Sequence, residues 1–290
     1  LDIIDKTLSP MGARLLKRWL ALPLKDIQKI RERHEVVSYL KNNQEILQQI
    51  QYQIKQISDL ERLISKVATG RIAPREVMYL KESLDAIVPV KTIALASPQE
   101  AVRVLGDTLH SCDVLREKIA TTLNPDAPVS IAKGNAIAPG VHEELDRLRN
   151  IAFSGKEFLE QIEKRESERT GITSLKISFN NVFGYYIEVR NTHKDKVPED
   201  WIRKQTLVNA ERYITEELKE YESTILGAEE KIHQIESKLF EQLVNWIGTY
   251  IKQVQMNAHL IAQLDCLVAF AQLALATCRI PRSCLFGYCF

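Results

Sequence analysis

The feature that most constrains this chain is a pair of heptad-spaced apolar stripes flanking a stretch of different character, residues 170–217. The first stripe runs through Leu145, Leu148, Ala152, Gly155, Leu159 and Ile162 and continues as polar Glu166 and Arg169. The second runs through Leu218, Tyr221, Ile225, Ala228, Ile232, Ile235 and Leu239, then Gln242 and Trp246. Alternating three- and four-residue steps keep one face of a helix against a partner. The intervening stretch must start and end near one place, so the spacing predicts two antiparallel helices with that stretch at their far end. At about 1.5 Å per residue, roughly 25 to 30 helical residues make an arm of about 40 Å.

The stretch itself reads as β-structure. Leu175, Ile177 and Phe179 alternate with polar residues, 181–184 supply turn chemistry, and Tyr185, Ile187 and Val189 alternate again. A third extended run at 204–208 is expected to pair with this hairpin, because two strands alone are marginal. Ahead of the arm the chain reads as helix. Ser9-Pro10 opens a helix with Leu15, Leu16, Trp19 and Leu20 available for a core, and Pro23 stops it. Asp26 opens a second with Ile27, Ile30, Val37 and Leu40 apolar, and helical patterns follow at 46–68, 74–96 and 98–123. Gly70 and Pro74 punctuate them, and the Pro-, Gly- and Ala-rich connection at 125–139 has room for a short strand pair. The expected class is mainly α: a helical bundle with a long antiparallel two-helix arm carrying a small antiparallel β module at its tip.

A chain of 290 residues that is 45% hydrophobic can bury a core. Its net charge of +1 excludes a globally basic nucleic-acid binder, so partners must be sought in local patches. Five cysteines without a CxxC pair argue against a disulfide framework or zinc site, and Cys112 and Cys266 fall in helical patterns as buried free thiols. The most apolar stretch, 260–277, is broken by Gln263, Asp265 and Gln272, and no signal peptide is visible, which points to the cytoplasm. The chain opens without Met and closes on CRIPRSCLFGYCF, so it reads as a piece of something longer.

The chemistry gathers around the hairpin. Arg190, Asn191, His193, Lys194, Lys196, Arg203, Lys204, Gln205, Thr206, Asn209 and Arg212 lie there, with Asp195, Glu199, Asp200 and Glu211 among them. Lys and Arg neutralise phosphates and Asn, Gln and Thr hydrogen-bond to them, which suits contact with a duplex backbone without reading its sequence. A solvated hairpin loop has the same composition, and the residues alone leave both readings open. Tyr185 and Tyr186 point to opposite faces, so at most one is free to stack on a base and the other belongs to the core. His193 has no nucleophile or second acid at a recognisable spacing and reads as a loop histidine. GxxxxGK[ST], GxGxxG and HExxH are absent, and no catalytic site is legible.

Four blocks go further: DKTLSPMGARLLKRWLALPL (5–24), ISDLERLISKVATGRIAPRE (57–76), KRESERTGITSLKISFNNVFGYYIEV (164–189) and RKQTLVNAERYITEELKEYE (203–222). Together they resemble the core of the MutS family of bacterial DNA mismatch-repair proteins. The resemblance covers most of the chain and fades after Ile280. It implies a lever domain at 1–159 and 220–280, a clamp inserted at 160–219, and a tail at 281–290 outside the family pattern. It further implies that the clamp touches duplex DNA as two subunits close around it. Carried onto this sequence, the expected backbone contacts are Asn191, Lys194, Lys196, Arg203, Lys204, Thr206, Asn209 and Arg212. The run 203–212 matches the family better than the loop 191–196, which is expected to vary.

Mismatch reading and ATP hydrolysis belong to other parts of the family's chain, so the resemblance implies a non-enzymatic piece. No cofactor or metal is expected in this piece, ATP and Mg being held by the family's ATPase domain. The implied partners are duplex DNA, a second MutS subunit and mismatch-repair proteins such as MutL, in the cytoplasm at the nucleoid, with no membrane. Two alternatives remain open: a coiled-coil scaffold whose β tip binds protein, and the same region of a recombination-controlling MutS relative.

Overall fold

A computed structural model describes residues 3–278 apart from Asn181 and Phe183, with backbone alone for Gly155, Lys156 and Cys278. The tail at 281–290 with Cys284 and Cys289, and the turn residue Asn181, therefore lie outside what is described, and the stripe position Gly155 is described by its helical backbone alone. The chain divides into two units. One comprises residues up to Ala138 together with those from Leu239 on, and the other is Pro139–Lys238.

The first unit is helical. α1 (Pro10–Ala21), α2 (Ile27–Asn42), α3 (Gln44–Gln56), α4 (Leu60–Ala68), α5 (Pro74–Leu95), α6 (Glu100–Thr108) and α7 (Asp113–Thr122) precede the second unit in the chain. The end of α9 (Glu216–Ile247) and all of α10 (Ile251–Cys278) return to it. α10 is the centrepiece, packed on α1, α2, α3 and α4, while α5 gathers α3, α6 and α7. Ala258, Ile261, Ala262, Val268 and Ala269 of α10 are buried, which accounts for its near-continuous apolar pattern. Among the described residues one helical run, Glu216–Thr277, is long and apolar enough to cross a bilayer, but 56% of its apolar window is already buried inside the protein.

Local signals set the helix ends. Ser9 accepts from the Gly12 N–H and Asp26 from those of Gln28 and Lys29, both as N-caps. Of the four α1 residues available for a core, Leu16 is deeply buried, Leu15 and Trp19 are half-buried and Leu20 is exposed. Val36, rather than Ile27, joins Leu40 inside.

The patterns at 46–68 and 98–123 each divide into two helices. At the first break Ser58 donates its N–H to Ser83 Oγ (2.9 Å) and Asp59 caps α4. At the second, Asn257 of α10 takes both the N–H and the carbonyl of His110 at 2.8 Å each. These side chains satisfy backbone that a continuous helix would have satisfied itself. The connection at 125–139 holds one bridge, Leu123 to Ile137, and a 3-10 turn at Ile131–Lys133 instead of a strand pair. Cys266 is buried and Cys112 half-buried, both free thiols.

The second unit is the arm. α8 (Glu143–Thr170) and the first part of α9 run antiparallel: Leu148 and Ala152 meet Ala228, Ile232 and Ile235, while Leu159 and Ile162 meet Leu218 and Ile225. The 28 residues of α8 span about 42 Å. Phe158 and Tyr221 stack across the seam with centroids 3.8 Å apart. The seam as read from sequence holds as far as Ile235 and then shifts. Gln242 is exposed, and Phe240, Leu243, Val244 and Ile247 are buried in its place, because this part of α9 belongs to the helical unit and turns a different face inward.

Between α8 and α9 lie β1 (Lys176–Asn180), β2 (Gly184–Arg190), β3 (Ile202–Thr206) and β4 (Ala210–Ile214), an antiparallel sheet in the order β1-β2-β4-β3. The third strand does not pair with the first hairpin, as the sequence suggested; β4 lies between them. Four strands offer one continuous inner face, where Ile187, Val189 and Tyr213 join Leu159, Ile162, Leu218 and Ile225 in a single core.

Candidate nucleic-acid interface

The pairing register sorts the basic side chains by face. Arg212 lies opposite Gln205 and Glu188, and Arg203 lies opposite inward-facing Tyr213. Side chains alternate along a strand, so the two arginines occupy opposite faces of the sheet. Arg212 donates from Nε to Glu188 Oε2 (3.1 Å) and from Nη1 to Gln205 Oε1 (3.0 Å), and its guanidinium sits 4.4 Å from the centre of the Tyr186 ring. Tyr186 is thereby buried on the outer face. Tyr185 packs inward, half-buried against Phe179. Arg203 reaches only Glu211, at 3.5 Å, and stays largely exposed.

β1 and β2 are fixed from behind by two carboxylates. Glu163 of α8 accepts from the Ile177 N–H (2.8 Å) and Glu222 of α9 from the Tyr185 N–H (3.2 Å). Gly184 opens β2 with φ of +77°, and a β-carbon there would overlap the Glu222 carboxylate. Trp201, buried and tilted against Tyr213, anchors the loop that leads into β3. Along β3 the register slips between Arg203 and Gln205, leaving Lys204 as the extra residue of a bulge.

At one end of the sheet the chain leaves β2 through a 3-10 turn, Asn191–Lys196, and β3 turns into β4 through 207–209. Lys194, Lys196, Thr206 and Asn209 are all exposed there. Asn191 joins the two loops: its N–H donates to the Asn209 carbonyl (3.1 Å) and its Nδ2 to the Val208 carbonyl (2.9 Å). Of the eight residues expected from sequence, this end gathers Asn191, Lys194, Lys196, Thr206 and Asn209. Arg203 and Lys204 line the neighbouring edge strand, and Arg212 is engaged within the sheet.

The charges are also redistributed. Asp200 is taken by Arg169 (2.8 Å), a hydrogen bond that holds its carboxyl below the usual range. Glu211 accepts from the Tyr213 hydroxyl, whose pKa burial and this carboxylate push up to about 12, so it remains a donor. Among the described residues Arg190, Lys194, Lys196 and Lys204 have no ion-pair partner, against Asp195 and Glu199. Sequence reasoning missed the engagement of Arg212, because only strand register reveals that Glu188 faces it. The described residues hold no group of three His, Cys, Asp or Glu side chains able to bind a metal.

The family model for MutS domain III matches residues 1–271. The chain belongs to the MutS domain III family. Among similar proteins, the DNA mismatch repair protein MutS of Flavobacterium johnsoniae is 81% identical over 274 residues, and that of Flavobacterium psychrophilum 78% over 275. The MutS of Parabacteroides distasonis is 58% identical over 274 residues. These alignments cover 94 to 95% of this chain. The chain spans 32% of the length of each of these MutS relatives. The match and these relatives together make the chain a portion of a mismatch-repair protein.

Proposed function

We propose that this chain is the lever and clamp portion of a DNA mismatch-repair protein, with the lever at 1–159 and 220–280 and the clamp at 160–219. The end of the sheet grips the duplex backbone without reading its sequence, and the arm transmits that grip to an ATPase elsewhere in the longer protein. One observation carries the reading: exposed lysines without ion-pair partners stand with amide and hydroxyl donors at one end of a sheet braced by two packed helices. Cations and neutral donors together suit phosphate oxygens, and a braced helix pair suits transmission. On this reading the piece performs no chemistry and holds no cofactor, ATP and Mg binding in the ATPase. Its partners are duplex DNA, a second subunit and repair proteins such as MutL, and it works in the cytoplasm at the nucleoid.

The test is a titration of a fluorescent duplex of roughly 30 base pairs, matched and singly mismatched, across a salt series. Equal, salt-sensitive binding to both is expected. Replacing Arg203 and Lys204 together by Ala should weaken both complexes alike and lower the salt slope by about 1 for each phosphate contact removed. A loss confined to the mismatched duplex would contradict the reading. Absence of binding even at low salt would favour the scaffold alternative, in which the tip binds protein.

A further inference from the structure

Asn191 stands among the residues expected to contact phosphate, but its main-chain N–H and one of its two side-chain N–H donors are held within the protein. Its main-chain N–H and side-chain Nδ2 both donate into the 207–209 turn, to the carbonyls of Asn209 and Val208. Nearby Lys194 and Lys196 are exposed without ion-pair partners, whereas Asn191 is tied by its main chain and its side chain to the neighbouring turn.

The consequence for the turn follows from peptide geometry. There are no cis peptides among the described residues, and in a trans peptide the C=O and the following N–H point in opposite directions. With the Val208 carbonyl drawn toward Asn191, the Asn209 N–H of the same peptide points away from it. That N–H meets no acceptor among the described residues. Val208 at the apex is 91% exposed and offers no polar side-chain group. What the turn presents outward to an anion is therefore the Asn209 main-chain N–H, with the exposed Asn209 amide beside it. Neutral main-chain donors of this kind serve phosphate contacts that carry no sequence information.

We propose that Asn191 is a positioning residue: it orients the 207–209 turn so that Asn209 donates to a DNA phosphate, and it does not itself touch the phosphate. This rests on the DNA-gripping reading above. A lysine that contacts phosphate releases counterions, and its loss lowers the salt slope. A clasp that only orients neutral donors contributes affinity with no counterion term. A direct contact by the neutral Asn191 amide would leave the slope unchanged as well, so the order of the turn separates the two roles: the Leu207 N–H, held by the Ala210 carbonyl, should exchange faster in free Asn191→Ala if the clasp orients the turn.

The experiment uses the whole chain as Asn191→Ala, Asn191→Gln and Lys194→Ala, titrated against a matched fluorescent duplex over a salt series. Asn191→Ala is expected to weaken binding about five-fold, the size of one net hydrogen bond, with an unchanged slope. Asn191→Gln, which keeps an amide donor, should recover most of that loss. Lys194→Ala should lower the slope by about 1. Weaker binding by Asn191→Ala with unchanged amide exchange at Leu207 in the free protein would make Asn191 a direct contact and overturn the clasp while leaving the DNA reading intact. Asn191→Ala binding as tightly as the unmodified chain, or Gln recovering nothing, would also overturn it. An unmodified chain that binds no duplex at low salt would overturn the DNA reading and the clasp with it.

Discussion

A β-carbon on Gly12 would overlap the buried carboxylate of Asp265, which accepts from the N–H groups of Leu8 and Ser9 and from the Ser9 hydroxyl. Gly12→Ala is therefore expected to destabilise the protein by about 1 to 3 kcal/mol, read as a lower urea midpoint. Burial pushes the Asp265 carboxyl up despite those donors. A folded-state pKa above the unfolded value means that this group subtracts stability as pH rises through the two values. Asp59 runs the other way. Burial raises it, but the two-pronged Arg14 contact more than offsets this and leaves the carboxyl below its ordinary range. Its contribution is full above a pH of about 4 and lost as pH falls through the depressed value. With Arg14 42% exposed, solvent screening holds the pair to about 1 kcal/mol. The stability difference between the unmodified chain and Arg14→Ala, measured by urea unfolding, should therefore shrink toward zero in acid. Ser9 was legible from sequence as a helix cap. Its own acceptor was not, since Asp265 lies 256 residues away.

The apolar seam of the arm holds a buried polar contact. Glu236 of α9 is fully buried and accepts from Arg149 of α8, which also reaches Asp146. Arg149→Ala would strand the Glu236 charge and is expected to cost about 3 to 5 kcal/mol, whereas replacing both by Met should be near neutral. Urea unfolding of the single and double variants would check this, and a single variant as stable as the double would refute it. At the other end of the arm, Gly184→Ala must adopt a positive φ and displace the Glu222 carboxylate, so the β1–β2 hairpin should loosen. Faster hydrogen exchange at Tyr186 and Glu188, whose N–H groups face β1, would report it. The heptad stripes were readable because both helices bury a narrow face over many turns. The shift after Ile235 was not, because a stripe does not say which partner it meets. Strand order was likewise hidden. Alternation marks strands, but only the shared core shows that β4 sits inside β3.

For the molecule as a whole, the candidate site was legible as a cluster because its residues are close in sequence. What sequence withheld was the division of labour, since Arg203 and Arg212 differ by nine positions and face opposite ways. One further consequence concerns how copies of the protein behave at high concentration. A sheet has two open edges, each a template for another strand. Here the β1 edge meets the Glu163 carboxylate, and the β3 edge carries Arg203, Lys204 and a bulge. Like charges and a broken register oppose the zipping together of two such edges, so the basic residues that suit phosphate also guard against edge-to-edge association. Arg203→Thr with Lys204→Val should flatten and neutralise that edge, and light scattering should then rise with protein concentration. A monodisperse double variant would show that the bulge alone guards the edge.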